Sequence, residues 1–116
     1  MNVIDFILVF TSLAFFFYGI NCLFSKKMIS EFNRFGLSKQ RVLTGILQII
    51  GATGLILGYY VQSNIIVIIG AIGLSLLMFL GFLVRIKIKD SFIESLPALT
   101  FALINLYIFI VYFQRI

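Results

Sequence analysis

Four stretches of roughly twenty apolar residues, with the charge gathered in short segments between them, limit what this chain can fold into. A helix of that length, at 1.5 Å of rise per residue, crosses a hydrocarbon core of roughly 30 Å. The spacing predicts membrane-spanning helices over about residues 3–24, 42–61, 65–84 and 93–113. Charged residues make up 11% of the chain and hydrophobic residues 62%, whereas an ordinary soluble domain is roughly a quarter charged. A soluble globule with so little charge could not cover its surface, so lipid must solvate most side chains. With 116 residues, too few for two independent cores, the expected fold is all-α. It is a single four-helix transmembrane domain whose neighbouring helices run antiparallel.

The first stretch is not built like a cleaved signal peptide. Such a peptide has basic residues before its apolar run and a small-residue cleavage site after it. Here Asp5 lies in the first turn and Ser25, Lys26 and Lys27 follow the run, so the helix is expected to be retained. The loops set an orientation. Lys26, Lys27, Arg34, Lys39 and Arg41 lie between the first and second spans, and Arg85, Lys87 and Lys89 between the third and fourth. Arg115 is the only basic residue on the other side. Basic residues in short loops favour the cytoplasm, so both termini are expected outside a multi-pass protein of the cell membrane, a bacterial inner membrane by expectation.

Local signals mark the ends of these helices. Asn2 with Asp5, and Ser91 with Glu94, read as N-caps with an acid in the first turn, where it meets the positive helix end. Pro97 predicts a kink, or a fourth helix that begins near it. Met28, Ile29, Phe32 and Phe35 fall on one face at helical spacing. Residues 26–35 therefore read as a short amphipathic helix at the membrane interface, with Gly36 ending it and Ser38 capping the second span.

Several function classes are excluded. The chain has one cysteine, Cys22, and no histidine. No intrachain disulfide, Cys/His zinc site, His-ligated haem or Ser–His pair can form. No catalytic residue, metal site or cofactor is expected. The net charge of +5 belongs to loops that set orientation and meet anionic headgroups, so nucleic acid is not an expected partner. The expected surroundings are the lipid bilayer and a membrane protein partner or further copies of the chain.

Helices in lipid associate by close packing and inter-helix hydrogen bonds. Gly45, Gly51, Gly54 and Gly58 on the second span, and Gly70 and Gly73 on the third, predict a tight seam between those two helices. Polar residues at depth are few. Tyr18 and Gln48 should lie at similar depth and could share a hydrogen bond. With Asn21 and Glu94 they form a candidate polar pocket opening to the cytoplasm. Glu94 is expected to complete the Ser91 capping box or to pair with Arg85 or Arg41. The bland reading of the same residues is helix capping with snorkelling basic side chains.

The run LTGILQIIGATGLILG over residues 43–58 resembles the second helix of the DoxX-like family of small four-helix membrane proteins. GLSLLMFLG over 73–81 resembles its third helix, and RIKIKD over 85–90 followed by LPAL over 96–99 its third loop and fourth-helix entry. Residues 19–21 and 35–37 fit its first helix and first loop. The chain has Gln48 where members often carry Glu, Asn21 where they carry a basic residue, and no proline soon after Leu37. The resemblance implies a non-enzymatic accessory protein or subunit of a membrane complex, redox or respiratory in kind. Two other readings compete with it. A small transporter of the multidrug-exporter type would need a carboxylate deep in the first helix, where only Thr11 and Ser12 stand. A quinone-binding or redox enzyme would have to work with carboxylates, tyrosines and amides alone.

Overall fold

A computed structural model describes residues 3–116 as five α-helices: α1 (Val3–Phe24), α2 (Lys26–Phe35), α3 (Arg41–Tyr60), α4 (Asn64–Lys87) and α5 (Phe92–Gln114). Asn2, expected to cap α1, lies outside the described residues. Helices α1, α3, α4 and α5 are each long and apolar enough to cross a membrane. Hydrophobic residues cover much of their outer faces, Phe6, Leu13, Ile50, Ile69 and Leu103 among them. Such a surface is stable only in lipid. The chain is an integral membrane four-helix bundle with a fifth, short helix in its first loop.

The α1 helix packs mainly on α3, α3 on α4, and α4 on α5, while α1 and α5 close the ring of four with the lightest packing of the neighbouring pairs. The core runs through Leu8, Phe15, Ala52, Leu55, Val67, Ala71, Leu74, Ile108 and Tyr112. Two hydrogen bonds tie helices together in its interior. Ser12 Oγ donates to the Ala52 carbonyl at 2.7 Å, and Ser75 Oγ to the Ala102 carbonyl at 2.8 Å. Small hydroxyls bring backbones close while a polar group remains satisfied, a common way of joining helices in a medium without water.

The glycines divide between two seams, not one. Gly45 lies against α1, where a Cβ would stand 3.0 Å from the Gly19 carbonyl oxygen. Cβ atoms on Gly51, Gly54 and Gly58 would meet α4, and one on Gly70 would meet α3. Gly45 and Gly54 are nine residues apart, two and a half helical turns, so they face opposite ways. Gly73 is a second correction. It is exposed, with nothing within 4 Å of its Cβ position. The buried row of α4 is Val67, Ala71, Leu74 and Ser75, and one residue of helix turns Gly73 about 100° away from Leu74.

Three helix ends close on left-handed residues. Gly36 (φ +76°) ends α2, with Leu37 N–H donating to the Phe32 carbonyl at 2.9 Å. Gln62 (φ +59°) and Lys89 (φ +65°) do the same after α3 and α4, where Ser63 N–H reaches the Gly58 carbonyl and Asp90 N–H the Arg85 carbonyl. These are Schellman-type closures that satisfy carbonyls left over at a helix end. Ser38 does not cap α3. It opens a 3-10 turn, Ser38–Gln40, and Gln40 precedes α3 without a side-chain cap. Helix α5 starts at Phe92, with Ser91 Oγ accepting from Glu94 N–H at 3.1 Å, and runs on through Pro97. The Ser91 cap and the Ser95 hydroxyl, which donates to the Ser91 carbonyl at 3.0 Å, support the turn ahead of the proline.

Candidate functional site

Helix α2 and the α4–α5 loop share one end of the bundle, here called the basic end. There Arg34 bonds Glu31 and Asp90 at 2.5 Å each, while Arg85 lies 3.0 Å from Asp90 and 3.5 Å from Glu31. Two guanidiniums and two carboxylates thus alternate, which fastens α2 to α4 and its following loop. Both guanidiniums also lie over the Phe35 ring, at 5.4 Å for Arg34 and 5.0 Å for Arg85. The Asp90 side chain is only 7% exposed, and the hydrogen bond from Arg34, helped by Arg85, holds its carboxyl below the usual carboxylate range. The Arg34 guanidinium is correspondingly held even more firmly protonated by its bonds to Asp90 and Glu31.

Arg41 has a different task. Its Nη1 donates to the carbonyls of Cys22 at 2.8 Å and Leu23 at 2.7 Å. These are orphan acceptors in the last turn of α1, at the negative end of the helix dipole. Arg41 and Arg85 are therefore both engaged elsewhere, and neither forms an ion pair with Glu94 among the described residues. Glu94 contributes its backbone N–H to the Ser91 cap and leaves its side chain exposed.

A cavity of about 410 Å³ lies inside this latch. Tyr18, Asn21, Gln48 and Glu94, the four residues of the candidate pocket, all line it. Each comes from a spanning helix: Tyr18 and Asn21 from α1, Gln48 from α3 and Glu94 from α5. Met28, Phe32 and Phe35 of α2 close it on the loop side, and Met78 and Gly81 of α4 on another. Aromatic rings meet where α1 approaches α5. Phe101 packs edge-on against Phe15 at 5.3 Å and against Tyr18 at 5.5 Å between centroids. A gap between helices walled by aromatic and thioether side chains, with a few polar groups at set places, is the usual composition of a small-molecule site.

Tyr18 and Gln48 do not share a hydrogen bond. Gln48 is 6% exposed, and its Oε1 has no hydrogen-bond partner. Thr11 Oγ1 and Asn105 Oδ1 are likewise buried and unpartnered, but neither residue lines the cavity. Nearby Thr44 has given its hydroxyl proton to the Gln40 carbonyl at 2.8 Å. Among the described residues no cluster of Cys, Asp and Glu is arranged to hold a metal.

Sequence reasoning missed Gly81, Met78 and Phe101 as lining residues, because an apolar side chain facing a cavity reads the same as one facing a neighbour. It also missed the Arg34–Asp90 pair, whose members are fifty-six positions apart. The legible hint was that Glu31 and Asp90 are acids placed in otherwise basic segments.

A sequence profile described as the DoxX-like family matches residues 6–107. No curated protein and no solved structure matches the chain.

Proposed function

The chain belongs to the DoxX-like family, and from that premise we propose that it is a non-enzymatic accessory protein or subunit of a membrane complex, redox or respiratory in kind, working through a ligand held at its basic end. The cavity that gathers Tyr18, Asn21, Gln48 and Glu94 carries this reading. Residues from three spanning helices meet there around a roomy opening, which close packing of a bundle alone does not require. The basic end faces the cytoplasm of the cell membrane and both termini face outward. Transport of the proton-coupled kind is less well supported. It wants an acid at depth in α1, and Asp5, in the first turn, is the only acid of that helix.

Two measurements test this. Affinity purification in mild detergent should recover a stoichiometric membrane partner, and an export phenotype without such a partner would favour the transporter. Glu94→Gln keeps the backbone N–H that meets Ser91, and Gln serves as well at that capping position. The variant should therefore fold as the wild type does and lose the ligand or partner phenotype. A normal phenotype would return Glu94 to helix capping and leave the cavity without a function.

A further inference from the structure

Gln48 is the one residue of the cavity wall that holds a buried side-chain polar atom without a partner among the described residues. Leaving a buried acceptor unsatisfied costs free energy that a hydrogen-bond donor brought in by a ligand would recover. The groups around it do not answer the need. Thr44 has spent its proton on the Gln40 carbonyl, and the Tyr18 hydroxyl does not pair with the Gln48 oxygen. Of the charged residues that line the cavity, Arg85 is held by Glu31 and Asp90, and the Lys27 and Glu94 side chains are exposed, so none of them is buried beside the Gln48 oxygen in need of a counter-charge. Most of the rest of the wall, including Leu77, Met78 and Phe101, is apolar. A volume of about 410 Å³ falls in the range of roughly 300–1,000 Å³ typical of small-molecule sites.

We infer that this cavity binds an uncharged, mainly apolar molecule carrying a hydroxyl or N–H group, which donates a hydrogen bond to Gln48 Oε1. This rests on the proposal that the cavity is a ligand site, and adds to it the ligand's chemical class and the atom that reads it. The aromatic and thioether wall takes the apolar body by contact, without directional demands. Among the polar groups of the wall, Tyr18, Asn21 and Glu94 included, the buried and unpartnered Gln48 acceptor sets the orientation. It also sets selectivity, because an analogue without the donor leaves Gln48 as unsatisfied as the empty cavity does.

A matched pair of probes separates these contributions. 1-Naphthol has the donor, and 1-methoxynaphthalene has the same ring system without it. The chain has no tryptophan, so naphthalene emission can be read against little protein background. Saturable binding to the full chain in lipid nanodiscs, above empty discs of the same lipid, should be about tenfold tighter for the naphthol. Gln48→Leu should abolish that preference while still binding the ether. Gly81 lines the cavity and has nothing within 4 Å of its Cβ position, so Gly81→Phe should fold, checked by circular dichroism and gel filtration, and exclude both probes. Equal affinity of the wild type for the two probes, or a preference that survives in Gln48→Leu, overturns the donor assignment and leaves the cavity as a ligand site. Naphthol binding unchanged in folded Gly81→Phe places the probe elsewhere and overturns it too. Absence of saturable binding by either probe overturns both the donor assignment and the ligand site beneath it.

Discussion

At the scale of single residues, the glycines are not interchangeable, although the sequence presents them as one row. A Cβ on Gly58 would stand 2.8 Å from the Val67 backbone nitrogen, which cannot move aside without shifting α4. A Cβ on Gly54 would meet only the Gly70 Cα at 3.8 Å, an ordinary contact. Overpacking of a filled interface costs about 1–3 kcal/mol. Gly58→Ala should therefore lower the apparent melting temperature in mild detergent clearly, and Gly45→Ala should do so at the α1 seam. Gly54→Ala should leave the temperature nearly unchanged. Gly73→Leu should also be tolerated, since its side chain enters open space. Thermal scans of the four variants decide the matter, and a loss at Gly73 equal to that at Gly58 would contradict this division. Small residues signal that backbones meet. Which backbones they join depends on helix phase and neighbour choice, and the α1–α3 pairing was not readable from a row of glycines in α3.

At the scale of elements, α2 is legible as a helix but not as a closure. Its apolar spacing and Gly36 are local signals, and they suffice to place Lys26–Phe35. What holds it down is the alternation of Arg34, Arg85, Glu31 and Asp90, which exists only once α2 and the α4–α5 loop have come together. Likewise the closures at Gln62 and Lys89 have no glycine to announce them. The latch has a pH consequence. The Asp90 carboxyl is held below its ordinary value by Arg34 and Arg85, so its contribution to stability is fully present above the ordinary carboxylate pKa of about 3.9. It is lost as pH falls through the lower value reached in the folded protein. Amide protection over residues 26–35, corrected for intrinsic exchange, should stay constant from neutral pH to about pH 4 and fall several-fold below it. Asp90→Asn should show the lowered protection already at neutral pH. Protection in that variant equal to the wild type's would mean that Met28, Phe32 and Phe35 alone hold α2 on the cavity.

At the scale of the whole molecule, one end of the bundle is basic and latched, and the other carries the turn between α3 and α4 together with Arg115 near the chain end. The basic side chains that sort to the first end do so for a reason of assembly. Short loops rich in Lys and Arg are retained on the cytoplasmic side during insertion, and eight of the chain's nine basic residues lie in the segments around α2 and at the end of α4. The fold then uses part of that charge a second time, with Arg34 and Arg85 in the latch and Arg41 on the end of α1. Lys26, Lys27, Lys39, Lys87 and Lys89 stay exposed, free to meet anionic headgroups in the same leaflet. Cysteine labelling with a membrane-impermeant reagent reads the orientation directly, because the native Cys22 is buried and adds little background. A cysteine at Ser63 should react in intact cells. Cysteines at Lys27 and Lys89 should react only after permeabilisation. Labelling at Lys27 without permeabilisation would invert the molecule, and the cavity mouth would then face away from the cytoplasm and from any partner or ligand there.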